Sequence, residues 1–185
     1  MGAEAQLKAL GITLPATPQP VANYVRAVRT GNLLFLAGHV PVRDGQFTYI
    51  GRLGKDLSVE EGYQAARLVG LNLLASARAA LGSLDRIKRV VKVLGMVHSA
   101  EGFGDQPKVV NGFSDLMVEV FGEAGRHARS AVGMAGLPMG VAVEVEAILE
   151  VADAGGAARR AAPARRKTSR PARKAATRRR RTRRS

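Results

Sequence analysis

The sequence predicts an α+β domain in which helices cover one face of a mixed β-sheet. Three observations predict this class: short Val- and Ile-rich segments typical of strands, two long segments with apolar residues at helical spacing, and their order. Several strands come first, followed by a helix, a strand, a second helix and two final strands. Such an order is typical of a sheet whose helices lie together on one side.

The first part of the chain contains a short helix and two hairpin signals. Residues 3–10 have the apolar content of a short helix that stops at Gly11, and three prolines then favour an extended lead-in to residue 20. Strands are expected over residues 24–28 and 33–37, because Thr30-Gly31-Asn32 between them is a turn signal. Asp44-Gly45 is a second turn signal of the same kind.

Two helices and one strand make up the middle of the chain. Ser58 and Glu61 form a capping box, and apolar residues then recur at helical spacing up to Leu81, so a long helix is expected to end at Gly82. Residues 108–121 show the same spacing ahead of Gly122. Between the helices, residues 87–97 form a strand that is apolar on both faces, which predicts an interior position in the sheet.

The last two strands are expected over residues 130–135 and 142–151, joined by a turn or short loop at residues 137–140. Side chains alternate across a strand, so Glu144 and Glu146 share one face. In a central strand these carboxylates need a partner or a raised pKa. Arg129 is the nearest candidate partner in sequence, and its planar guanidinium can bind a carboxylate through two hydrogen bonds.

Composition limits the functional classes. The 185 residues contain no Cys, which excludes disulfides, thiol catalysis and cysteine zinc sites. His39, His98 and His127 are too scattered to predict a metal site, and no motif predicts a cofactor. No apolar run is long enough to span a membrane, so we expect a soluble, cytoplasmic protein with no membrane partner.

The positive charge lies almost entirely at the C-terminus. Residues 152–185 contain 14 basic residues and one acid, a net charge of +13, which leaves 15 basic and 14 acidic residues in the rest, a net charge of +1. The tail also lacks large apolar residues, so we expect it to be disordered in isolation. The predicted organisation is a lead-in over residues 1–20, a folded domain over residues 21–151 and a basic tail over residues 152–185.

Several motifs between residues 21 and 151 resemble those of one family. They are Asn23-Tyr24, the run from Ala37 to Pro41, Asn111 opening a helix, Arg129-Ser-Ala-Val, Leu137-Pro138, and Val143-Glu-Val-Glu-Ala-Ile. In this order they are similar to the signature of the RidA/YjgF family of enamine/imine deaminases, also described as endoribonucleases and translation inhibitors. The resemblance implies a chorismate mutase-like fold, with two main helices on one face of the sheet, and a homotrimeric barrel with active clefts between subunits.

The resemblance also implies roles for individual residues. Arg129 would bind the carboxylate of a small imino acid, and Glu144 would handle the water or the proton. Tyr24 and Asn111 would line the cleft, and the backbone at Gly38 would approach the ligand. Ala131 stands where the best-known deaminases often have Cys, so it would offer a backbone contact only.

A second hypothesis comes from the basic tail. A flexible polycation binds phosphate backbones through counterion release, without reading sequence, and the tail has no aromatic residues for base stacking. The alternative to a deaminase is therefore a nucleic-acid-associated member of the family, either a ribonuclease or a nonenzymatic RNA or DNA binder. The near neutrality of the folded domain argues mildly against a nucleic-acid groove on its surface.

Overall fold

The computed structural model describes residues 2–17 and 23–153, which form three α-helices and seven strands. The helices are α1 (Ala3–Ala9), α2 (Val59–Leu81) and α3 (Gln106–Phe121). The strands are β1 (Ala27–Thr30), β2 (Leu33–His39), β3 (Val42–Arg43), β4 (Gln46–Phe47), β5 (Ile87–His98), β6 (Ala128–Met134) and β7 (Val143–Val151). The predicted α+β class is confirmed.

Five strands form one mixed sheet in the order β1-β2-β7-β5-β6. All neighbours are antiparallel except β5 and β6, which run parallel and are connected through α3. The strand that was expected to be interior, β5, is paired on both sides. β7 is the central strand of the five.

Both hairpin predictions are confirmed. Thr30 pairs with Leu33, so the β1–β2 turn consists of Gly31 and Asn32. Arg43 pairs with Gln46 across the second turn, where Asp44 and Gly45 have φ values of 52° and 78°. Positive φ at both central residues is the geometry of a type I′ turn, whose twist matches that of antiparallel strands.

Helices α2 and α3 pack together on one face of the sheet. The predicted capping box is present: the Ser58 hydroxyl accepts from the Glu61 N–H, the Glu61 carboxylate accepts from the Ser58 N–H, and the helix ends at Gly82. The α2–α3 contact is close at Gly112, where an added Cβ would overlap the backbone carbonyl of Tyr63. Any side chain at residue 112 would therefore force the helices apart.

Two predicted boundaries are wrong. The first strand begins at Ala27, so Tyr24 lies in the segment before it. The second main helix begins at Gln106 with Pro107 in its first turn, so Asn111 lies one turn inside the helix and does not open it. Proline is favourable at the first helical positions because its missing N–H would have no intrahelical acceptor there.

The final two strands are not neighbours. β5 lies between them, parallel to β6 and antiparallel to β7, so residues 137–140 connect strands two positions apart in the sheet. This segment forms a short 3-10 turn, Pro138–Gly140. Sequence proximity therefore does not bring Arg129 next to the carboxylates of β7.

The predicted lead-in and tail lie partly outside the described residues. Residues 18–22 of the lead-in and residues 154–185 of the basic tail are not described, so the domain organisation stays a prediction. Within residues 2–17 and 23–153, no helix combines the length and apolar character needed to cross a membrane.

Candidate active site

Arg129 lies on the helix-covered face of the sheet, at its β6 edge. It pairs in register with Val93 of β5, which pairs in turn with Ala147 of β7. Val93 and Ala147 are both buried in the core beneath the helices. Since paired residues of neighbouring strands project to the same face, the Arg129 side chain projects toward α3.

Three hydrogen bonds hold the Arg129 guanidinium against α3. Nη1 donates to Asn111 Oδ1 at 3.0 Å and to Ser114 Oγ at 2.9 Å. Nη2 donates to the Pro107 carbonyl oxygen at 3.2 Å. Partial burial lowers the pKa of Arg129 from its ordinary value, and Asp115 opposes that shift. The group stays cationic at neutral pH, because an arginine is not deprotonated in proteins.

The contacts leave Arg129 with donors to spare. A guanidinium has five N–H donors, and Arg129 uses three of them. The Nε–H and one Nη2–H have no partner among the described residues. Two donors are the number that a carboxylate accepts in a bidentate pair, so Arg129 is held in place and can still bind an anion.

Glu144 lies on the opposite face of the sheet from Arg129. Its neighbours Val143 and Val145 are fully buried under the helices, whereas Glu144 is half-buried and Glu146 is exposed on the open face. Burial raises the pKa of Glu144, and the charge of Glu146 raises it further. The two carboxylates therefore share a face, as predicted. Burial in the central strand makes Glu144 more easily protonated than an ordinary glutamate.

Gly38 makes room for the Glu144 carboxylate. The β2–β7 register shifts between Leu36 and His39, which marks an irregularity at Gly38. An added Cβ at this position would overlap Oε1 of Glu144 and lie 2.9 Å from its Cδ. Only glycine leaves the space that the carboxylate occupies, so these two predicted site residues are in contact.

A buried histidine follows Gly38. His39 Nδ1 lies 2.6 Å from the Ala37 carbonyl oxygen, and its Nε2 lies 2.8 Å from Ser76 Oγ of α2. Burial is the main cause that lowers the pKa of His39 to about 4. The neutral ring thus ties the end of β2 to the helix layer at the residue next to Gly38.

The remaining predicted residues occupy different surroundings. Asn111 is on α3, bonded to Arg129. Ala131 is partly buried against the core on the same face as Arg129, two residues along β6. Tyr24 is 47% exposed ahead of β1. The predicted residues therefore form an Arg129 group with Asn111 and Ala131, and a Glu144 group with Gly38.

The interpretation of Arg129 as the nearest partner of the β7 carboxylates is wrong within one protomer. Glu144 and Arg129 project to opposite faces of the sheet, and β5 separates their strands. A substrate held by Arg129 would lie across the sheet from the carboxylate of the same chain. The two groups meet at one ligand only if a second copy supplies one of them.

The open face carries an apolar groove beside Glu146. Its cavity of about 560 Å³ is lined by Val25, Val28, Phe35, Leu36, Ala37, Lys92, Leu94, Ser130, Glu146, Ala147 and Ile148. Exposed apolar residues on the same side include Val28, Phe35, Val132 and Met134. Contiguous exposed apolar surface is a common feature of sites at which proteins contact other molecules.

Sequence reasoning missed two residues of the Arg129 group, Ser114 and His127. Ser114 accepts the Arg129 hydrogen bond, and His127 Nε2 lies 3.0 Å from Ser114 Oγ. A signal was present, because His127 precedes Arg129 by two residues and strand alternation places such residues on one face. Ser114 had no comparable signal, since only the docking of α3 on β6 brings it to the arginine.

Comparisons with known proteins identify the family. The profile described as "YjgF/chorismate mutase-like, putative endoribonuclease" matches residues 4–150. Protein TCP17 of Trypanosoma cruzi is 49% identical over 148 residues, which cover 80% of this chain and 92% of that protein. A protein of Dermatophagoides farinae named 2-iminobutanoate/2-iminopropanoate deaminase is 29% identical over 140 residues, covering 76% of this chain and 94% of that protein.

A solved structure supports the same assignment. A protein of unknown function from Agrobacterium tumefaciens superposes with a TM-score of 0.76 at 45% identity, covering 81% of this chain and 92% of that one. The family match spans most of the chain, including β6 and all but the last residue of β7. The resemblance inferred from the motifs is therefore confirmed, and the chain belongs to the YjgF/RidA family.

Proposed function

We propose that the chain is a hydrolytic deaminase that converts reactive 2-imino and enamine acids into 2-oxo acids and ammonia. The observation that carries this proposal is Arg129, which α3 holds by three hydrogen bonds while two donors remain for a carboxylate. A relative named as such a deaminase, 29% identical to this chain, supports it.

The two groups have separate tasks in the reaction. Arg129 binds the substrate carboxylate and so fixes the adjacent imine carbon. Glu144 accepts a proton from water as the water oxygen bonds to the carbon of the protonated imine, and the C=N π electrons become the lone pair of an amine. Glu144 then returns the proton to that nitrogen, the C–N bond breaks as the C=O bond forms, and the hydroxyl proton is taken up by the departing ammonia, which leaves as ammonium.

The raised pKa of Glu144 suits this proton exchange. A carboxylate that is weakly basic accepts protons poorly, and burial together with the Glu146 charge makes Glu144 more basic than an ordinary glutamate. Its place beside Gly38 leaves the carboxylate open to a ligand that approaches the backbone of β2. Tyr24 and Ala131 line the cleft in this proposal, and Asn111 acts through its bond to Arg129.

The proposal requires an assembly of at least two copies, and the family resemblance makes it a homotrimer. Arg129 of one protomer would face Glu144 of its neighbour, since the two residues lie on opposite faces of a single sheet. The exposed apolar residues of the open face support burial between copies. A head-to-tail contact repeated around a closed ring gives one complete site at every interface.

Subunit mixing tests both the activity and the assembly. Arg129→Lys and Glu144→Gln proteins are each assayed for ammonia release from freshly generated 2-iminobutanoate, then unfolded together, refolded and assayed again. With random assortment, roughly a quarter of interfaces would carry both native residues, so activity should recover to about that fraction of wild type. Refolded wild type is the control for losses during refolding.

Two results would contradict the proposal in different ways. No ammonia release from the wild-type chain would remove the deaminase activity. Active wild type with no recovery on mixing, although native mass spectrometry shows mixed trimers, would place Arg129 and Glu144 at separate sites.

A further inference from the structure

A chain of hydrogen bonds continues from Arg129 into the protein. Arg129 Nη1 donates to Ser114 Oγ at 2.9 Å, Ser114 Oγ lies 3.0 Å from His127 Nε2, and His127 Nδ1 lies 2.6 Å from the Gly125 carbonyl oxygen. The chain joins β6, α3 and the short helix Gly122–Gly125. The proposed deaminase mechanism assigns no task to its last two side chains.

The direction of each hydrogen bond in this chain follows from the Gly125 carbonyl oxygen at its inner end. A carbonyl oxygen only accepts, so His127 Nδ1 carries the hydrogen that is donated to Gly125. In the neutral ring Nε2 then accepts, and the Ser114 hydroxyl donates to it. Because its single hydrogen is committed to His127, the hydroxyl oxygen presents its lone pairs to Arg129.

The surroundings keep His127 neutral. Burial lowers the pKa of His127, and the nearby charge of Arg129 lowers it further, although the Gly125 bond opposes both effects. The edge of the ring packs against Phe113, with the ring centroids 6.2 Å apart at an interplanar angle of 80°. Asp115 of α3, Arg126 and Arg129 line one cavity that His127 also lines, and Arg89 of β5 lines a second such cavity together with Arg126.

We propose that Ser114 and His127 are positioning residues that hold the Arg129 guanidinium in the orientation in which it binds the substrate carboxylate. This inference rests on the proposed function, because it assigns the carboxylate to Arg129. His127 orients the Ser114 hydroxyl, and Ser114 together with Asn111 takes both hydrogens of Nη1. The donors that remain on Arg129 then have a single direction, and a carboxylate meets them without first reorienting the side chain.

A positioning role and a purely structural role of Ser114 and His127 would have different measurable effects. A residue that only stabilises α3 would change the melting temperature and leave ligand affinity unchanged in the folded protein. A residue that orients Arg129 would weaken binding of a carboxylate, raising KM more than it lowers kcat. Replacement of His127 by Gln supplies an amide with one donor and one acceptor, so Gln can partly reproduce the orientation that Ala cannot.

The test measures binding of 2-oxobutanoate to the full chain by titration calorimetry at pH 7.5. Ser114→Ala and His127→Ala should each weaken binding about tenfold, the effect of one lost hydrogen bond to a charged group. His127→Gln should recover to within about threefold of wild type. Ser83→Ala is the matched control, since Ser83 also loses a side-chain hydrogen bond but caps a turn before β5.

Nitrogen NMR of His127 gives a second measurement that does not depend on activity. The expected state is the neutral ring with its hydrogen on Nδ1. A ring with its hydrogen on Nε2 would overturn the inference, because Ser114 could not then donate to it. If His127→Ala fails to fold, Ser114→Ala and the NMR tautomer decide the question.

The outcomes distinguish the inference from the proposed function. Normal binding of 2-oxobutanoate by Ser114→Ala and His127→Ala would overturn the positioning role, even if the wild type deaminates imines. Weakened binding in both variants, together with near-normal binding by His127→Gln, would support the positioning role even if the wild type released no ammonia. Absence of 2-oxobutanoate binding by the wild type would overturn the inference, whereas ammonia release alone decides the deaminase proposal.

Discussion

The Arg129 and Glu144 groups are built in different ways. Arg129 projects from an edge strand and is held by three hydrogen bonds to α3, so its geometry is fixed by polar contacts. Glu144 projects from the central strand, and its pKa is shifted by burial and by Glu146, with no hydrogen-bond contribution. In the proposed mechanism Arg129 needs a fixed direction to bind the substrate carboxylate and Glu144 needs a raised pKa to accept a proton, and the surroundings of each residue favour that property.

The largest expected effect is at Glu144. Glu144→Gln keeps the size of the side chain and removes its basicity, so kcat for 2-iminobutanoate should fall by about a thousandfold, or ~4 kcal/mol of barrier, with KM little changed. Steady-state kinetics of ammonia release measure both constants. A large rise in KM with unchanged kcat would assign Glu144 to substrate binding instead.

Glu146→Gln is the matched variant on the same face. Its turnover should stay near wild type, because Glu146 is exposed and acts only through its charge. Glu144 accepts a proton only when ionised, and its raised pKa places the acidic limb of kcat/KM above the ordinary value of 4.5. Removing the Glu146 charge should move that limb to lower pH. A loss of turnover in Glu146→Gln, with Glu144→Gln active, would mean that Glu146 has the role assigned to Glu144.

The next expected effect concerns the acid stability of the region beside Gly38. Unfolded His39 binds a proton below about pH 6.5, whereas the folded protein resists it down to about pH 4. Between these values the unfolded state binds more protons, so stability falls as pH falls, by ~3 kcal/mol at pH 4 relative to pH 7.

Chemical denaturation of wild type and His39→Gln at pH 7 and pH 4 isolates this effect. The variant has no titrating ring at residue 39, so its loss of stability over the same range should be smaller by about 3 kcal/mol. Equal losses in the two proteins would show that His39 is accessible to protons in the folded state.

A smaller effect is expected at Arg129. Arg129→Lys keeps the charge and loses the planar group, so kcat/KM should fall by about a hundredfold, or ~2.7 kcal/mol, while the fold persists. Arg52→Lys, at an exposed position, is the control for loss of a guanidinium. Unchanged turnover in Arg129→Lys would remove Arg129 from the site.

The smallest expected effect on the folded domain comes from the tail. Deletion of residues 157–185 should leave the melting temperature and deamination nearly unchanged, because this composition offers no apolar burial. It should abolish most binding to duplex DNA or RNA. For the full chain, roughly 6 to 10 phosphate contacts would mean a thousandfold or greater loss of affinity between 50 and 200 mM salt.

Binding by the truncated domain would change the functional assignment. If it retained RNA affinity, or cleaved RNA in a manner dependent on Arg129, the ribonuclease hypothesis would replace the deaminase proposal.

Local patterns determined much of the fold from the sequence. The capping box at Ser58, the turn at Asp44-Gly45 and the alternation around Glu144 each depend on residues a few positions apart, so their geometry is set within the segment. The family resemblance depended on several such local motifs in order along the chain, among them the one that contains Arg129. The start of α3 was misplaced because the Pro107 signal is ambiguous between a loop and a first helical turn.

Tertiary structure alone decided how the site residues are related. The insertion of β5 between β6 and β7 is a long-range pairing that separates the strands of Arg129 and Glu144, which are only 15 residues apart in sequence. The registers of these pairings place the two side chains on opposite faces of the sheet. The docking of α3 brings Ser114 to Arg129, and the irregularity in β2 brings Gly38 to Glu144. Sequence periodicity fixes which residues share a face of one element, but strand order and helix docking depend on burial summed over the whole core.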